Sequence, residues 1–332
     1  ETMPVRPRLT PAMADARRAV RELLEGQNLE AQALVLVACS GGADSMALAA
    51  ATAFEAPRLG LRAGAVIVDH SIQEGSHEVA SQAAERCQAL GLDPVVIEQV
   101  EVENTGAGLE AAARDARYEA LGRARELLGA ELILLGHNQD DQAETVLMGL
   151  ARGSGLRSIS GMPALDAERR VARPLIDIPR ATLRQACLDQ GVEFWDDPQN
   201  LDDRFSRVRV RKQVEQLEKT LGPGYAAALA RTAQSAFEAD DLISQLAEEL
   251  AVEAKEENEA LTLSTEVLEQ AHEAIRRKTI LHICQRAGAK SVSRQQVLEV
   301  EALVLSWHGQ KPLSLSGITV ERVANHLVFK KD

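Results

Sequence analysis

The feature that most constrains this chain is a glycine-bearing segment, Ser40–Ser45, placed between an apolar run and a run of helix formers. Ala33–Cys39 is rich in Val and Leu, which predicts a buried parallel strand, and Met46–Ala51 predicts a helix. A strand, a glycine-rich turn and a helix in that order direct backbone N–H groups at an anion, and the helix dipole favours negative charge there. The spacing is neither that of a Walker A loop nor Gly-x-Gly-x-x-Gly. The sequence therefore predicts a phosphate site on a strand-to-helix turn.

The individual residues of this turn indicate how phosphate is held. The glycines permit positive φ angles and a close approach of backbone to phosphate oxygens, and the serines supply hydroxyl donors. Asp44 places a carboxylate beside an anion site, which implies an intervening cation such as Mg²⁺. The predicted phosphate contacts are Ser40, Gly41, Gly42, Ala43, Asp44 and Ser45.

Strand and helix signals alternate over the first two-thirds of the chain. Strands are predicted at Leu34–Cys39, Ala65–Asp69, Val95–Val100 and Leu132–Leu135. Helices are predicted at Arg17–Leu24, Met46–Phe54, His77–Leu90, Leu109–Leu128 and Asp141–Leu150. This alternation predicts an α/β fold with a parallel, Rossmann-like sheet covered by helices on both faces. Ligands of such sheets bind beyond the carboxyl ends of the strands, so we expect the polar residues after the strands to share one site.

The pattern changes after about Arg204, where long helices with charged faces are predicted at Arg207–Leu221, Gly224–Lys255, Ser264–Ala287 and Ser293–Ser306. Ser264–Ala287 is expected to be one of these helices, and the acidic stretch Glu253–Glu259 is expected to be a solvated surface turn. Short alternating runs between Lys311 and Lys330 are typical of a small antiparallel hairpin.

Gly222-Pro223-Gly224 is a strong helix breaker and a plausible domain border. We therefore predict two domains. Residues 1–217 form a catalytic α/β domain, and residues 224–332 form a smaller, mainly helical domain that ends in a short hairpin.

Several charged side chains fall at the predicted ligand edge. Asp69 closes the second strand, where it can hold a metal ion or a ribose. Arg114 and Arg117 line one face of the helix after the third strand, where an arginine can neutralise charge developing on phosphate. An exposed, salt-bridged helix face is the alternative, and it contributes little to stability.

A second cluster, Gly136–Thr145, crowds ionisable groups at the junction between the fourth strand and the next helix. Asp141 and Glu144 share a helix face because of their spacing. This pair can hold an ammonium group or a metal ion, and His137 can contact phosphate or shuttle a proton. Acidic residues are also common in a first helical turn because they suit the dipole, and that explanation stays open.

A basic run lies between the predicted domains. Its cations are Arg204, Arg207, Arg209, Arg211 and Lys212. Arginines at steps of two do not share a helix face, so part of the run is expected to be loop. Guanidinium groups suit RNA phosphates, and a solvated basic helix start is the alternative. The net charge is −13, but residues 152–212 hold 12 Lys and Arg against 9 Asp and Glu. Because distant charges are screened, this local excess is compatible with nucleic acid.

Cysteine usage and hydropathy indicate a compartment. The 4 cysteines are widely scattered, so neither a structural zinc site nor an iron–sulfur cluster is predicted. Isolated thiols indicate a reducing environment, no apolar run approaches the roughly 20 residues that span a bilayer, and Glu1–Pro4 has no signal-peptide character. We predict a cytoplasmic protein without membrane contact.

Ser40–Ser45 resembles the pyrophosphate loop (PP-loop) of the N-type ATP pyrophosphatases, which split ATP between its α and β phosphates. Over roughly Ala33–Leu217 the chain resembles one family of that superfamily, the tRNA(Ile)-lysidine synthases, in a short form. The shared motifs occur in this order: Ser40–Ser45, Val68-Asp69-His70, Gly108–Tyr118, Gly136–Thr145, Arg152–Met162, Arg173-Pro174-Leu175 and Asp196–Lys212. Asp140–Thr145 followed by Arg152–Gly155 is far more specific than the loop alone.

The resemblance implies a reaction at the wobble cytidine of the CAU anticodon of tRNA(Ile). ATP adenylates the C2 oxygen of that base, pyrophosphate leaves, and the ε-amine of L-lysine displaces AMP. ATP is then the co-substrate, Mg²⁺ accompanies it at Asp44, and Asp69 belongs to the ATP site. Asp141 and Glu144 are implied to bind lysine. The catalytic residues predicted on this basis are Asp44, Arg114, Arg117 and His137. The helical domain of residues 224–332 is implied to bind tRNA. Members of the family are often dimers, which predicts a homodimer.

Two positions depart from the family pattern, and three other hypotheses stay open. Asn138 stands where a second histidine is often found, and Val208 stands where Asn is usual. A tRNA thiolation enzyme would need catalytic or cluster-binding cysteines. A small-molecule amidating enzyme, such as an NAD or GMP synthetase, would not need the basic run. A non-catalytic nucleotide- or RNA-binding module would bind without turnover.

Overall fold

The computed structural model describes residues 9–69, 75–100, 109–153, 155–197, 202, 204, 206–257 and 260–332. The helices are α1 Pro11–Gly26, α2 Ala43–Glu55, α3 Ser76–Ala89, α4 Leu109–Leu128, α5 Gln139–Arg152, α6 Leu156–Ile159, α7 Arg180–Gln190, α8 Ser206–Leu221, α9 Tyr225–Ala251, α10 Thr265–Gln270, α11 Glu273–Arg286 and α12 Arg294–Leu305. The strands are β1 Leu34–Ala38, β2 Arg62–Asp69, β3 Val95–Gln99, β4 Ala130–Leu135, β5 Leu165–Asp166, β6 Val171–Ala172, β7 Lys255–Glu257, β8 Ala260–Ser264, β9 Leu313–Leu315, β10 Ile318–Val323 and β11 His326–Lys331.

The chain divides into two compact units. The first comprises the chain up to Arg152 together with Gly161–Ala233, and the second comprises Gly153–Ser160 and Gln234–Asp332. The assignment of catalysis to residues 1–217 and of RNA binding to residues 224–332 stays a prediction. No helix within the described ranges has the length and apolar character needed to cross a bilayer.

The first unit contains a six-stranded sheet in the order β3-β2-β1-β4-β6-β5. The four pairs from β3 through to β6 are parallel, and only β5 runs antiparallel to its neighbour. The strand order reverses between β1 and β4, which makes their carboxyl ends the topological switch point where ligands bind in such sheets. The predicted parallel, Rossmann-like α/β fold is confirmed.

Both faces of this sheet are buried, as continuous apolar strands require. All five residues of β1 are buried. Val35 and Val37 belong to a core that includes residues of α1, α2, α3 and α7, and Leu34 and Leu36 belong to a second core with residues of α4. The alternation of side chains along β1 thus sends one set to each layer of helices.

The second unit contains an antiparallel sheet in the order β7-β8-β11-β10-β9. Its core includes the fully buried Phe329 of β11, with Ile283 of α11 and Val300 of α12. The predicted terminal hairpin is present as β10 and β11, but it belongs to a larger sheet than expected.

Two expectations for this unit are wrong. The acidic stretch Glu253–Glu259 contains β7, whose residues pair with β8. A charged edge strand lacks the apolar alternation by which strands are recognised, and charge on an edge strand guards against further pairing. Ser264–Ala287 is not one helix but a strand end followed by α10 and α11. The backbone becomes extended at Ala271, the C-cap of α10, and His272 then caps α11 by accepting from Ala274 N.

Candidate active site

The turn between β1 and α2 is the predicted phosphate loop, and it leaves a helix N-terminus open. Gly41 has a φ of +82°, a left-handed conformation that favours glycine. Gly42 is the N-cap of α2, and no side chain of the described residues caps this helix. The first N–H groups of α2 therefore lack a side-chain acceptor, which is the arrangement that binds anions. Trp195 N donates to Gly41 O at 2.8 Å and fixes the turn from a distant segment.

The two serines of the loop have different roles. Ser45 is buried, and its Oγ donates to Gly42 O at 3.0 Å and accepts from Ser40 N at 3.2 Å. This hydroxyl closes the loop on itself, and its contact with phosphate stays a prediction. Ser40 is exposed, so its Oγ is the hydroxyl that remains accessible to a ligand.

A glycine brings the predicted carboxylates next to this loop. A Cβ on Gly136 would lie 3.1 Å from the backbone carbonyl atoms of Asp44, so the absence of a side chain lets the turn after β4 approach α2. Asn138 then begins α5. Its Oδ1 accepts from Asp141 N at 3.0 Å, and Asp141 Oδ2 accepts from Asn138 N at 3.1 Å. This reciprocal cap gives a structural role to a residue that departs from the family pattern.

Three carboxylates, Asp44, Asp141 and Glu144, meet where α2 and α5 begin, and we term them the acidic cluster. Arg180, the first residue of α7, lies among them. Its Nη2 is 2.7 Å from Asp141 Oδ1 and 3.3 Å from Glu144 Oε1, and its Nε is 3.8 Å from Asp44 Oδ2. Arg211 Nε of α8 donates to Glu144 Oε1 at 2.8 Å. The structure thus brings the predicted metal ligand and the predicted lysine contacts together, with guanidinium groups between them.

Two oxygens of the acidic cluster remain open. Burial raises the pKa of the Asp44 carboxyl to about 6, against the opposing effect of Arg180. Asp44 Oδ1 and Glu144 Oε2 are buried and have no hydrogen-bond partner among the described residues. Such atoms are costly when nothing bonds to them, so they mark two places where a cationic ligand would be stabilised.

The donor set fits a magnesium ion that is bound mainly by a nucleotide. Within the described ranges, no group of three or more His, Cys, Asp and Glu side chains can hold a metal ion. Mg²⁺ in phosphoryl-transfer sites takes one or two carboxylates, with phosphate oxygens and water as its other ligands. The open Oδ1 of Asp44, at the start of the helix that follows the phosphate loop, fits that kind of site.

Basic side chains from three elements line a cavity of about 270 Å³. Arg114 and Arg117 come from α4, His137 from the turn after β4, and Arg207 from α8; we term these four residues the arginine pocket. Tyr118 also lines the cavity, and no carboxylate is found among its described lining residues. The cavity therefore favours an anion.

His137 is uncharged in this setting. Its pKa lies well below the ordinary value because of its burial and because of the nearby charges of Arg117, Arg173 and Arg207. Burial also lowers the pKa of Arg117, although a guanidinium stays protonated at physiological pH. His137 is therefore a neutral hydrogen-bonding group near pH 7, and the positive charge of the arginine pocket resides on its arginines.

The basic run is part turn and part helix, as predicted: Arg204 lies in a turn, and the other four cations lie on α8. α8 begins at Ser206 and continues through the run. Arg207 and Arg211 are four residues apart and share one face, from which the first lines the arginine pocket and the second reaches Glu144. Alternating arginines are thus compatible with a helix that directs some of them into the site and others outward.

The other cations of the run are exposed. Arg209 and Lys212 lie on the outer side of α8, and Arg204 precedes the helix and pairs with Asp202 at 2.6 Å. Val208, the second departure from the family pattern, is buried on α8. The prediction that the run contacts tRNA stays a prediction, and its exposed members are those that a macromolecule can reach.

Asp69 lies at the same edge of the sheet as the phosphate loop. It ends β2, the strand beside β1, and is 3% exposed. Its Oδ2 is 3.7 Å from His77 Nδ1. His70 of the same motif and residues 101–108 ahead of α4 lie outside the described residues.

Two arginines of this site receive no role from sequence reasoning, although Arg173 opens the motif Arg173-Pro174-Leu175. Arg180 follows Pro179 at the start of α7, where a positive charge is unfavourable to the helix dipole. An arginine at this position is therefore a sign of nearby carboxylates that offset the unfavourable charge. The backbone N–H of Arg180 donates to Asp140 Oδ2 at 2.8 Å. Arg173 follows β6, a two-residue strand that is too short for its hydrophobic pattern to be recognised.

Comparison with protein families agrees with the parallel sheet and the open N-terminus of α2. Residues 13–218 match the family model described as the PP-loop domain. Residues 263–328 match the model of the TilS substrate binding domain. The first unit is thus built on a PP-loop domain, and ATP use is supported.

Relatives identify the particular family. The tRNA(Ile)-lysidine synthase of Leifsonia xyli subsp. xyli is 49% identical, and the match covers 90% of this chain and 90% of that protein. The enzyme of Streptomyces coelicolor is 46% identical, with 90% and 85% covered, and that of Thermobifida fusca is 44% identical, with 92% and 94% covered. The chain belongs to the tRNA(Ile)-lysidine synthase family. The resemblance inferred from the motifs is confirmed.

A solved structure of another tRNA-modifying enzyme shares the fold. The U34-tRNA thiolase NcsA of Methanococcus maripaludis, determined with its [4Fe-4S] cluster, has a TM-score of 0.58 and 20% identity, with 68% of this chain and 80% of that chain covered. At this identity the likeness concerns the fold alone. The four cysteines of the present chain are all buried and free, and among the described residues they form no group of three or more possible metal ligands. These observations do not favour a cluster-dependent thiolation enzyme.

Proposed function

We propose that this chain ligates L-lysine to C2 of the wobble cytidine in the CAU anticodon of tRNA(Ile), with ATP as co-substrate. In the first step, the C2 oxygen of cytidine attacks the α-phosphorus of ATP and pyrophosphate leaves. In the second step, the ε-amine of lysine attacks C2, and AMP departs with the oxygen. Membership of the family supports the reaction, and the geometry of the site supports the following division of roles.

The phosphate loop receives the part of ATP that departs as pyrophosphate. The uncapped start of α2 and the left-handed turn at Gly41 offer backbone N–H groups, which stabilise negative charge without the need to reorganise. Ser40 adds the accessible hydroxyl. Asp44 would hold Mg²⁺ through its open oxygen, and the ion would supply neutralisation of phosphate charge. Asp69, at the end of the adjacent strand, is proposed as a further contact to ATP.

The arginine pocket assists adenylation. Arg114 and Arg117 carry charge that no described carboxylate in the cavity balances, so they are available to the α-phosphate or to a phosphate of the anticodon. His137 is neutral and acts as a hydrogen-bonding group. These residues orient the reacting groups and stabilise the charge that develops on the phosphoryl oxygens.

The observation that carries the lysine assignment is Glu144 Oε2, a carboxylate oxygen that is buried and unpartnered among the described residues. An ammonium group is compact and has three donors, so it can bond to this oxygen and to Asp141. Arg180 and Arg211 hold other oxygens of the same carboxylates and fix their orientation. The carboxylates are also positioned to accept the proton that the ammonium group loses before it attacks.

The RNA is proposed to contact the exposed cations Arg204, Arg209 and Lys212, with further contacts from the C-terminal unit. Arg207 and Arg211, predicted for the same task, are directed into the catalytic region and are proposed to act near the reacting base. We also propose a homodimer in the cytoplasm. Buried free cysteines agree with a reducing compartment, and light scattering of the purified chain would test the dimer.

The experiment is a lysine-transfer assay with purified chain, ATP, Mg²⁺, labelled lysine and an unmodified tRNA(Ile) transcript. We expect label in the RNA and an equal amount of pyrophosphate. The matched control is the same transcript with uridine in place of the wobble cytidine, which should take up no label. Label in both transcripts, pyrophosphate release that requires ammonia and a small acid, or binding of ATP without turnover would each contradict the proposal.

A further inference from the structure

Arg173 is a buried arginine that has no carboxylate partner among the described residues. It follows β6 and is 3% exposed. Its guanidinium makes three bonds, all to uncharged groups: Nε to His137 Nδ1 at 3.2 Å, Nη1 to Pro163 O at 2.8 Å and Nη2 to Tyr118 OH at 3.2 Å. Burial of an unpaired charge is costly, so a side chain kept in this state calls for a functional reason.

The bond to His137 fixes the state of the imidazole. A guanidinium has donors only and no acceptor. His137 Nδ1 must therefore accept, which leaves it without a proton and places the single proton of the neutral ring on Nε2. The positive charge of Arg173 also opposes protonation of the ring.

The bond to Tyr118 has a similar consequence. The phenolic oxygen accepts from Arg173, so the hydroxyl proton remains free to be donated to another group. Both partners of Arg173 line the cavity of the arginine pocket. One buried guanidinium thus directs two neutral side chains to act as donors in a cavity whose other polar groups are cations.

We propose that Arg173 is a positioning residue, which holds His137 as its Nε2–H tautomer and Tyr118 as a hydroxyl donor, so that the arginine pocket is arranged in advance for an anionic oxygen of a substrate. The inference rests on the proposed function only for the identity of that substrate. Without Arg173, the imidazole of His137 is free to adopt either tautomer or to bind a second proton. In a fraction of the molecules, the ring nitrogen that faces the cavity would then be an acceptor, which cannot bond to an anion.

Nitrogen NMR of the full chain with ¹⁵N-labelled histidine tests this directly. Long-range ¹H–¹⁵N spectra distinguish the two tautomers and the imidazolium, and His137→Gln identifies the signal of interest among the 7 histidines. We expect a single Nε2–H tautomer at neutral pH in the wild type, and a mixture or an imidazolium in Arg173→Met. The matched control is Arg169→Met, which removes a guanidinium 5.5 Å from the Tyr118 ring but leaves the bond to His137 in place.

The same variants separate positioning from stability. We expect Arg173→Met to lower kcat of adenylation by roughly 10- to 100-fold, because His137 and Tyr118 are no longer held in the orientation that the reaction needs. KM for lysine should change little. Tyr118→Phe should retain the tautomer and lower the rate less. An Nδ1–H tautomer or an imidazolium in the wild type would overturn the proposal, even if Arg173→Met did not fold. So would an unchanged tautomer in Arg173→Met. Because the spectra require no turnover, failure of lysine transfer in the wild type would contradict the proposed function and leave this result standing.

Discussion

Helix α8 contributes one arginine beside the acidic cluster, Arg211, and one to the arginine pocket, Arg207, but the two regions differ in how their charge is balanced. In the acidic cluster, Arg180 and Arg211 pair with the carboxylates, and two oxygens have no hydrogen-bond partner in the part of the chain that the structure describes. In the arginine pocket, the guanidinium groups meet no carboxylate among the described lining residues. The acidic cluster is therefore suited to bind a small cation, because most of its charge is already balanced. The arginine pocket is suited to bind an anionic group of a substrate.

The largest expected effect comes from Asp44→Asn, which removes the proposed metal ligand of the acidic cluster. Adenylation should fall by more than about 100-fold, because charge on the leaving pyrophosphate is no longer neutralised. Affinity for the tRNA should stay within about twofold, because the arginine pocket and the exposed cations are unchanged. Pyrophosphate release and filter binding measure the two quantities.

Asp15→Asn is the matched control for this prediction, since Asp15 lies on α1 in an exposed pair with Arg18. Its adenylation rate should equal that of the wild type. Equal losses of adenylation and of tRNA affinity in Asp44→Asn would show that the two regions do not act separately.

Arg180→Met should break the charge balance of the acidic cluster. Loss of one partner from a largely buried ion-pair group destabilises a protein by about 3–5 kcal/mol, and about 2–4 kcal/mol is expected here because Arg211 remains. Without Arg180, the effect of burial on Asp44 loses its largest opposing influence, so the pKa of Asp44 rises further above its unfolded value. The part of the destabilisation that comes from Asp44 is then full above the raised pKa of the variant, shrinks as the pH falls, and is gone below the wild-type pKa of about 6.

Urea unfolding of Arg180→Met and wild type across this pH range measures the difference. Arg184→Met, which removes an exposed arginine of the same helix, should cost less than about 1 kcal/mol. A pH-independent loss in Arg180→Met would mean that Arg180 acts through packing and not through the carboxylates.

Glu144→Gln should affect only the second half of the reaction. We expect KM for lysine to rise by roughly 10-fold or more, because the amide oxygen carries no charge for the ammonium group, while adenylation is retained. Steady-state lysine transfer and pyrophosphate release from the same samples measure the two halves. If adenylation fails first, Glu144 does not serve lysine and the comparison between the two regions has to be redrawn.

The smallest effect is expected from the outer side of α8. Arg209→Ala combined with Lys212→Ala should weaken tRNA binding several-fold at moderate salt and reduce the salt dependence by about two counterions. Arg207→Ala combined with Arg209→Ala should also weaken binding, and it should slow adenylation in addition because Arg207 lines the arginine pocket. Filter binding over a salt series distinguishes the two. Unchanged affinity at low salt would remove this surface from the account.

Much of the fold and part of the site can be predicted from the sequence, for identifiable reasons. β1 is apolar along its whole length, and Ser40–Ser45 follows it directly, so strand, loop and helix are recognised from local pattern alone. Asp44, Asp141 and Glu144 are found because parallel strands bring the residues after them to one edge. β7 is missed because its pairing depends on a partner strand and not on its own charged residues.

Arg173 and Arg180 show a different limit. Each is separated along the chain from the groups that it contacts, and each becomes significant only when tertiary packing places it beside His137 or the carboxylates. The helical state of Arg207–Lys212 is predicted, but the alternation of its arginines does not indicate which of them face the site. In the structure, one face of α8 directs Arg207 and Arg211 into the site, and the other face exposes Arg209 and Lys212.

The most direct test of the account is a crystal structure of the chain with Mg²⁺ and an ATP analogue that cannot be cleaved between its α and β phosphates. We predict that the β and γ phosphates lie against the backbone N–H groups at Ser40–Ser45 and that Asp44 binds the ion. A phosphate loop without ligand, with the triphosphate held instead by the arginine pocket, would contradict the account.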